Sequence, residues 1–272
     1  MLDVPRKTLG LALGSGGAKG FAHVGVLKAL EEHGIRPDVV TGSSMGSLIG
    51  AFYVTGMRPA FMERLATTLS WRHWIDLTVP RMGLISGQKI HQMVTMLTRR
   101  LRFEDVEPRF GVVATELTQR RSVLFASGSI ADAVRASIAI PGVFVPYVNA
   151  DGVFVDGGVL ERVPVHACRT LGADVVIAVD VAAVLRSAVP ETIMDVIMYS
   201  IDVMQQQLVE PRVQHADLRI EPDLSDMGTS QFQRAKEAMA RGYEAAMAMM
   251  PQIVALAASC RDDGSGGGLD GK

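Results

Sequence analysis

Residues 37–56, PDVVTGSSMGSLIGAFYVTG, predict a buried strand that turns sharply into a helix. Residues 37–42 are typical of a strand, and residues 46–56 have the composition of a helix. An earlier segment follows the same order, with a strand over residues 8–14 and a helix over residues 21–33. Because both strands contain near-continuous apolar runs without charge, we expect them to be buried in a parallel sheet.

The rest of the chain continues to alternate between strand and helix patterns. Ser129 and Asp132 have the spacing of a capping box, which predicts a helix that begins there and is stopped by Pro141. Residues 110–117 and 121–128 predict a pair of neighbouring strands. A further buried strand is predicted over residues 173–181, and further helices over residues 59–74, 87–101, 164–171, 190–209 and 231–249.

The composition sets limits on the class of protein. The chain has 272 residues, 48% of them hydrophobic and 21% charged, which is enough for a large core. We expect one domain over residues 1–260 and a flexible glycine-rich tail over residues 261–272. A formal net charge of −2 argues against a nucleic-acid binder. Because Cys168 and Cys260 lack metal spacing and no apolar window could span a bilayer, we expect a cytoplasmic protein, soluble or peripheral to a membrane.

The turn after the second strand places one serine in the position of a nucleophile. A nucleophile elbow requires small residues two positions before and two positions after the serine, because the backbone turns tightly there. Ser44 meets this requirement, since Gly42 and Gly46 flank it, whereas Ser43 and Ser47 do not. Such a serine also lies at a helix N-terminus, where free N–H groups favour negative charge. The alternative is a glycine-rich turn that holds a capping serine.

A second glycine-rich loop, LGSGGAKG at residues 13–20, also lies between a strand and a helix. Lys19 occupies the position that needs a glycine in a dinucleotide-binding fingerprint, and the register of a Walker A loop fails as well. The loop can instead offer successive N–H groups to an oxyanion, with Gly16, Gly17 and Ala18 as the natural donors. Lys19 either steadies the loop, meets a negative head group, or is a solvated lysine at a helix start.

The base that would activate Ser44 is predicted to be a carboxylate. None of the six histidines lies in an obvious strand-end loop late in the chain, and His23 falls on an otherwise apolar helix, which favours a structural role. Asp156 ends an apolar run and precedes two glycines, whereas Asp151 fits ordinary turn chemistry. Because an aspartate with a pKa of ~3.9 is a weak base, burial must raise its pKa or its hydrogen bond must tighten during the reaction.

Three motifs in this order, GSGGAKG (14–20), GSSMG (42–46) and DGG (156–158), resemble the patatin-like phospholipase family. The resemblance extends over about residues 7–255 and implies a three-layer α/β/α fold with a mostly parallel central sheet. One departure is that Ser15 precedes the glycine pair where the family's loop has a further glycine. The resemblance also implies hydrolysis of lipid acyl esters, as by a phospholipase or lysophospholipase, with no metal and no cofactor.

The same resemblance implies a role for each site residue. It makes Ser44 the nucleophile and Asp156 the base of a Ser-Asp dyad, with no histidine. It makes the backbone N–H groups of Gly16, Gly17 and Ala18 the oxyanion hole. The residues implied to support this machinery are Lys19, Gly42, Gly46, Gly157 and Gly158.

Two other features bear on the partners of the protein. Trp71 and Trp74, with nearby arginines, offer a patch for peripheral membrane contact, although core tryptophans and solvated arginines are the favoured interpretation. A Met-rich stripe with helical spacing favours core packing or a homo-oligomer interface over an acyl-binding lid. Its members are Ile193, Met194, Ile197, Met198, Ile201 and Met204.

Two alternative functions remain open from the sequence. One is an α/β-hydrolase-like esterase whose base is His166 or His215. The other is a lipid-binding or regulatory protein that has the same fold and little hydrolytic activity.

Overall fold

The computed structural model describes residues 6–68, 76, 82–182, 190, 193, 195–197, 199–201, 203–204 and 215–260. Over these residues the chain forms three layers, in which helices cover both faces of a central, mostly parallel sheet. The α/β/α class expected from the sequence is confirmed.

The strands and helices have the following bounds. The strands are β1 (Leu9–Leu13), β2 (Val39–Ser43), β3 (Gly83–Ile85), β4 (Arg109–Glu116), β5 (Arg121–Phe125), β6 (Gly142–Phe144), β7 (Tyr147–Asn149), β8 (Gly152–Asp156), β9 (Val175–Val179) and β10 (Leu218–Ile220). The helices are α1 (Ala22–Glu32), α2 (Met45–Val54), α3 (Pro59–Thr68), α4 (Gln88–Leu97), α5 (Ile130–Ser137), α6 (Val165–Thr170), α7 (Ala235–Ala248) and α8 (Met250–Ser259). The described residues between 193 and 204 are also helical.

The central sheet has the strand order β10-β9-β1-β2-β4-β8-β7 in the described part of the chain, and β5 pairs with β4 off this path. The strands from β10 to β4 pair in parallel, whereas β5, β8 and β7 join the sheet in antiparallel pairs. Strands β3 and β6 form a separate parallel pair. The carboxyl ends of β1 and β2 therefore lie at the same edge of the sheet, where open α/β sheets bind their ligands.

Strand β4 brings the ends of β2 and β8 together. Its residue Val113 pairs with Ser43 at the end of β2, and the next residue, Ala114, pairs with Asp156 at the end of β8. Because β5 occupies one edge of β4 over this region, β2 and β8 must share the other edge and meet end to end. The residue that follows Ser43 is thereby placed beside Asp156.

The two faces of the sheet carry residues of different size. On β1, Leu11 and Leu13 belong to the main core, which includes α1 and α2. Ala12 belongs to a second core with residues of α6, and a Cβ at Gly10 would lie 2.4 Å from the Sγ of Cys168 in α6. Side chains of a strand alternate between faces, so large residues meet the larger helical layer and small residues let α6 approach closely.

The structure differs from the sequence predictions at several elements. Ser129 caps α5 as expected, since its Oγ accepts a hydrogen bond from the Asp132 N–H at 3.2 Å. However, α5 ends at Ser137 and not at Pro141. Just beyond the helix, the Ala139 carbonyl accepts a hydrogen bond from the Asp156 N–H and not from a further turn of α5. The short strands β3, β6, β7 and β10 were not predicted. Helix α8 was also missed, since it begins beside a proline, which is tolerated in the first turn.

Part of the Met-rich stripe is exposed to solvent. Ile193 is 77% exposed and Met204 is 59% exposed, so core packing is wrong for these two residues. Ile197 instead lies against β6, where its Cδ1 is 3.2 Å from the position of a Cβ at Gly142. A homo-oligomer interface through this stripe stays a prediction. Trp71, Trp74, Met194, Met198 and the tail at 261–272 lie outside the described residues.

Substituting Gly25→Ala tests the contact between α1 and α7. A Cβ at Gly25 would lie 1.9 Å from the Met239 carbonyl oxygen and 2.6 Å from the Tyr243 nitrogen, so the helices must separate. We expect the free energy of unfolding, measured by urea denaturation, to fall by ~1–3 kcal/mol. Gly228→Ala is the control, because its Cβ would meet its nearest neighbour at 3.4 Å. An equal loss in both variants would contradict the prediction.

Candidate active site

Ser44 lies at the turn between β2 and α2 in an unusual backbone conformation. Its φ is 51° and its ψ is −122°, values that a residue other than glycine rarely adopts. A Cβ at Gly42 would lie 2.5 Å from the Gly46 carbonyl oxygen, and one at Gly46 would lie 2.2 Å from the Leu13 carbonyl oxygen. The turn is therefore tight enough to exclude side chains at both flanking positions, which is the requirement of a nucleophile elbow.

The Ser44 side chain is hydrogen-bonded to Asp156. Its Oγ–H donates to the Asp156 Oδ2 at 2.5 Å, and the other carboxylate oxygen accepts from the Gly158 N–H at 2.8 Å. A Cβ at Gly157 would lie 2.1 Å from the Val113 carbonyl oxygen, so the turn after β8 packs directly against β4. The structure thus brings together the serine and the aspartate that the sequence motifs single out.

Burial changes the acidity of the Asp156 carboxyl. The residue is 6% exposed, and desolvation of the charged form raises its pKa from 3.8 to about 7. The hydrogen bonds from Ser44 and Gly158 act in the opposite direction and lower the pKa. A carboxyl that titrates near neutrality is a much more effective general base than one at its ordinary pKa. The sequence required either that burial raise the pKa of Asp156 or that its hydrogen bond tighten during the reaction. The direction of the pKa shift agrees with the first of these requirements.

Ser137 holds the turn at Ser44 and was missed by sequence reasoning. Its Oγ accepts a hydrogen bond from the Ser44 N–H at 2.8 Å and donates to the Val113 carbonyl at 2.6 Å. The side chain thereby connects the turn to β4 from the last residue of α5. No local motif marks this role, because Ser137 is distant from both partners in the sequence.

The three N–H groups predicted to form an oxyanion hole differ in whether they already have a hydrogen-bond acceptor. The Ala18 N–H donates to the Thr229 carbonyl at 2.8 Å, so it is occupied and the prediction for Ala18 needs correction. Within the described residues, the N–H groups of Gly16 and Gly17 donate to no backbone carbonyl. Gly17 has a φ of 55°, and a Cβ there would lie 2.5 Å from the Thr229 carbonyl oxygen. The N–H groups that remain available to an oxyanion in this loop are therefore those of Gly16 and Gly17.

Lys19 is buried beneath the same loop. It is 1% exposed, so the interpretation as a solvated lysine is wrong. Its backbone N–H donates to the Gly16 carbonyl at 3.1 Å, which closes the turn that carries the donors. Of the predicted roles, holding the loop fits this position best.

The described histidines make no hydrogen bond to Ser44. His23 is fully buried, and its Nε2–H donates to the Gly14 carbonyl at 2.7 Å. Burial lowers the pKa of His23 to about 4, so its ring is uncharged near neutrality. The Nδ1 of His166 lies 3.4 Å from the Thr170 Oγ1 on α6. His73 lies outside the described residues.

A cavity of about 660 Å³ opens beside Ser44 and Gly17. One wall is a face of α2 with helical spacing, and the other walls are mostly apolar residues of α1, α3, α4 and the segment 138–144. The residues 230–236 complete the lining. The α2 residues that line it are Met45, Leu48, Ile49 and Phe52. Such a cavity suits an apolar chain whose reactive end reaches Ser44.

Two kinds of feature are absent from the part of the chain that the structure describes. No group of three or more His, Cys, Asp or Glu side chains is arranged to hold a metal ion there. No helix among the described residues combines the length and apolar content needed to cross a bilayer.

Comparison with known proteins gives a family match over the site. The model of the family described as patatin-like phospholipase matches residues 11–169, which is more than half of the chain and includes Ser44 and Asp156. Among solved structures, VipD from Legionella pneumophila is 16% identical with a TM-score of 0.49, over 92% of this chain and 67% of that one. This likeness is too weak to carry an argument.

Curated relatives align over about two thirds of the chain. The lysophospholipase NTE1 of Pyricularia oryzae is 33% identical over 193 residues, which are 68% of this chain and 13% of that protein. The lysophospholipase NTE1 of Coccidioides immitis is 36% identical over 186 residues, 65% of this chain and 12% of that protein. The alignment therefore spans only a small part of the length of these relatives.

Substituting Asp156→Asn tests the burial of the carboxyl. The unfolded chain ionises this group above pH 3.8, whereas the folded chain retains the proton up to about pH 7. Its contribution to stability is therefore complete below pH 3.8 and is lost as the pH rises towards 7. We expect the neutral variant to be more stable than wild type, by ~2–3 kcal/mol more at pH 8 than at pH 5 in urea denaturation. The same difference at both pH values would show that burial does not perturb Asp156.

Proposed function

The chain belongs to the patatin-like phospholipase family, and from that premise we propose that it hydrolyses lipid acyl esters with Ser44 as nucleophile and Asp156 as general base. The observation that carries the proposal is the 2.5 Å hydrogen bond from the Ser44 Oγ to a buried carboxylate, at the wall of an apolar cavity. We further propose that residues 1–260 act as one catalytic domain, since the strands that order the site run from Leu9 to Ile220.

The proposed reaction begins with attack of the Ser44 Oγ on the ester carbonyl carbon. The hydroxyl proton moves to Asp156, and the carbonyl oxygen becomes an oxyanion that the Gly16 and Gly17 N–H groups stabilise. The N-terminus of α2, which begins next to Ser44, adds the positive end of the helix dipole. Removal of one oxyanion donor typically raises the barrier by ~2.7–4 kcal/mol.

The second half of the reaction returns the enzyme to its starting state. Asp156 gives its proton to the departing alcohol oxygen, which leaves an acyl ester on Ser44. A water molecule then attacks this ester, with Asp156 again accepting the proton. The resulting oxyanion collapses, the fatty acid departs and the Ser44 Oγ recovers its proton. Asp156 must be ionised to accept each proton, so a pKa of about 7 keeps an ionised fraction available near neutrality.

The cavity supports a substrate with one acyl chain. The α2 wall runs from Ser44 to Phe52, eight residues apart, which is about 12 Å at ~1.5 Å per residue. A single acyl chain can lie along this face with its carbonyl carbon at Ser44. The relatives from Pyricularia oryzae and Coccidioides immitis are named lysophospholipases, and we propose a monoacyl lipid as the substrate class for this chain.

Exposed apolar side chains favour a peripheral contact with lipid. Met82 and Leu84 beside the β3–β6 pair are 59% and 44% exposed, and Ile193 and Val196 on the neighbouring helical residues are 77% and 51% exposed. An enzyme that takes its substrate from a lipid aggregate needs an exposed apolar surface that can contact the aggregate. A homo-oligomer that covers the same side chains is the other partner we expect.

A panel of variants tests the proposed dyad. Ser44→Ala is expected to abolish labelling by a fluorophosphonate probe and hydrolysis of a monoacyl lipid, because it removes the hydroxyl that donates to Asp156 at the wall of the cavity. Asp156→Asn is expected to lower kcat by ~10²–10⁴-fold, the usual value of a general base. Product release is measured by mass spectrometry.

His166→Ala and His215→Ala serve as the controls for this panel. Both are expected to keep wild-type kcat. Loss of activity in either one would favour an esterase with a histidine base. A folded wild-type protein that neither labels nor hydrolyses would favour a lipid-binding or regulatory role.

A further inference from the structure

The polar part of the cavity lining comes mainly from one segment of the chain. Ser230, Gln233 and Lys236 all line the cavity and follow closely after Thr229. The Thr229 carbonyl accepts the hydrogen bond from the Ala18 N–H, so this segment lies directly over the glycine loop. The polar rim is therefore next to the oxyanion donors, whereas the α2 wall is apolar.

Lys236 brings a positive charge to this rim. Among the described residues that line the cavity, it has the one charged side chain, and it is exposed to solvent. No described carboxylate lies within 4.0 Å of its ammonium nitrogen. The charge is thus available to a ligand that enters the cavity.

Two acidic groups close to Lys236 in the chain, Asp226 and Glu237, are paired with arginines. The Arg234 Nη2 lies 2.6 Å from the Asp226 Oδ2 and 2.7 Å from the Glu237 Oε1. Arg241 pairs with the same two carboxylates. Two cations balance two anions in this network, and Lys236 is not part of it. One further carboxylate, that of Asp195, accepts a hydrogen bond from the rim residue Ser230 at 3.2 Å, so Lys236 is the group at the rim that can attract an anion.

The helix that carries Lys236 adds to the positive electrostatic potential at the rim. Helix α7 begins at Ala235, and its N-cap residue, Arg234, provides no side-chain hydrogen bond to the first turn. The positive end of the helix dipole therefore lies beside Lys236, although Glu237 in the first turn offsets part of it. A lysine in this setting suits a phosphate, which it binds as a point charge.

We propose that Lys236 binds the phosphate in the head group of a monoacyl phospholipid whose ester lies at Ser44. The inference rests on the proposed hydrolase function and adds the recognition of the head group. The acyl chain extends along α2 toward Phe52, so the departing alcohol must lie on the other side of the reacting carbon, toward the rim. In a lysophospholipid this alcohol carries the phosphate, and the glycerol carbons separate the phosphate from the ester.

A matched pair of substrates tests the proposal. Lauroyl lysophosphatidic acid and monolauroylglycerol share the acyl chain and differ in the phosphate, and both are presented in neutral detergent micelles at a fixed mole fraction. The readout is the ratio of kcat/KM for the phosphate-bearing substrate to kcat/KM for the neutral one. We expect Lys236→Gln to lower this ratio about tenfold, or ~1.4 kcal/mol, and Lys236→Arg to restore most of it.

Lys28→Gln is the matched control for the loss of a surface lysine. Lys28 lies on α1, 3.7 Å from Glu63, and its removal is expected to leave the ratio unchanged. An unchanged ratio in Lys236→Gln, or an equal loss in both variants, would overturn the proposal. Circular dichroism and the urea midpoint establish that each variant is folded.

Two further arms separate the remaining explanations. If Lys236 binds free phosphate, inorganic phosphate will inhibit hydrolysis of monolauroylglycerol by wild type but not by Lys236→Gln. The ratio of kcat/KM values for the two substrates will then be the same in both proteins, and this outcome would overturn binding of the lipid head group.

Ser44→Ala is assayed in parallel to test the hydrolase function itself. If wild type hydrolyses monolauroylglycerol and Ser44→Ala does not, the proposed hydrolase function stands whatever the result for Lys236. If wild type hydrolyses neither substrate, the hydrolase proposal itself fails.

Discussion

The hydrogen bond between Ser44 and Asp156 depends on two strands that end at the same point on the edge of a third. Strand β4 pairs with β2 up to Ser43 and with β8 from Asp156 onward. The carboxylate is buried at this point, which is unfavourable for a charged group. The Ser44 hydroxyl and the Gly158 N–H satisfy its two oxygens in compensation. The raised pKa of Asp156 is therefore a direct result of the sheet topology.

The same topology places an apolar wall and a polar rim around one cavity. The parallel arrangement of β1 and β2 places the glycine loop next to the turn at Ser44. On one side of this junction, α2 extends an apolar face into the cavity. The segment that supports the Ala18 N–H brings Lys236 to the rim of the same cavity. In the proposed complex the acyl chain lies along α2 and the head group lies at the rim.

Local sequence patterns were enough to select the residues whose positions depend on local backbone geometry. Ser44 could be selected because the tight turn tolerates only glycine on both sides, and Asp156 because it ends a strand before two glycines. The roles of Ser137 and Thr229 could not be predicted, because each depends on a partner that is distant in the sequence. The sequence left the role of Lys19 open for the same reason, since its position after the glycines fits both a residue that holds the loop and a solvated helix start. The short strands β3 and β6 lack a periodic signal of useful length.

The most direct test of the proposed chemistry is a titration of the Asp156 carboxyl itself. Infrared difference spectra of wild type minus Asp156→Asn, recorded as a function of pH, isolate the carbonyl stretch of this group. We expect the protonated band to persist at pH 6 and to disappear with an apparent pKa of about 7. A band that disappears near the ordinary value of ~4 would contradict the claim that burial makes Asp156 an effective base for Ser44.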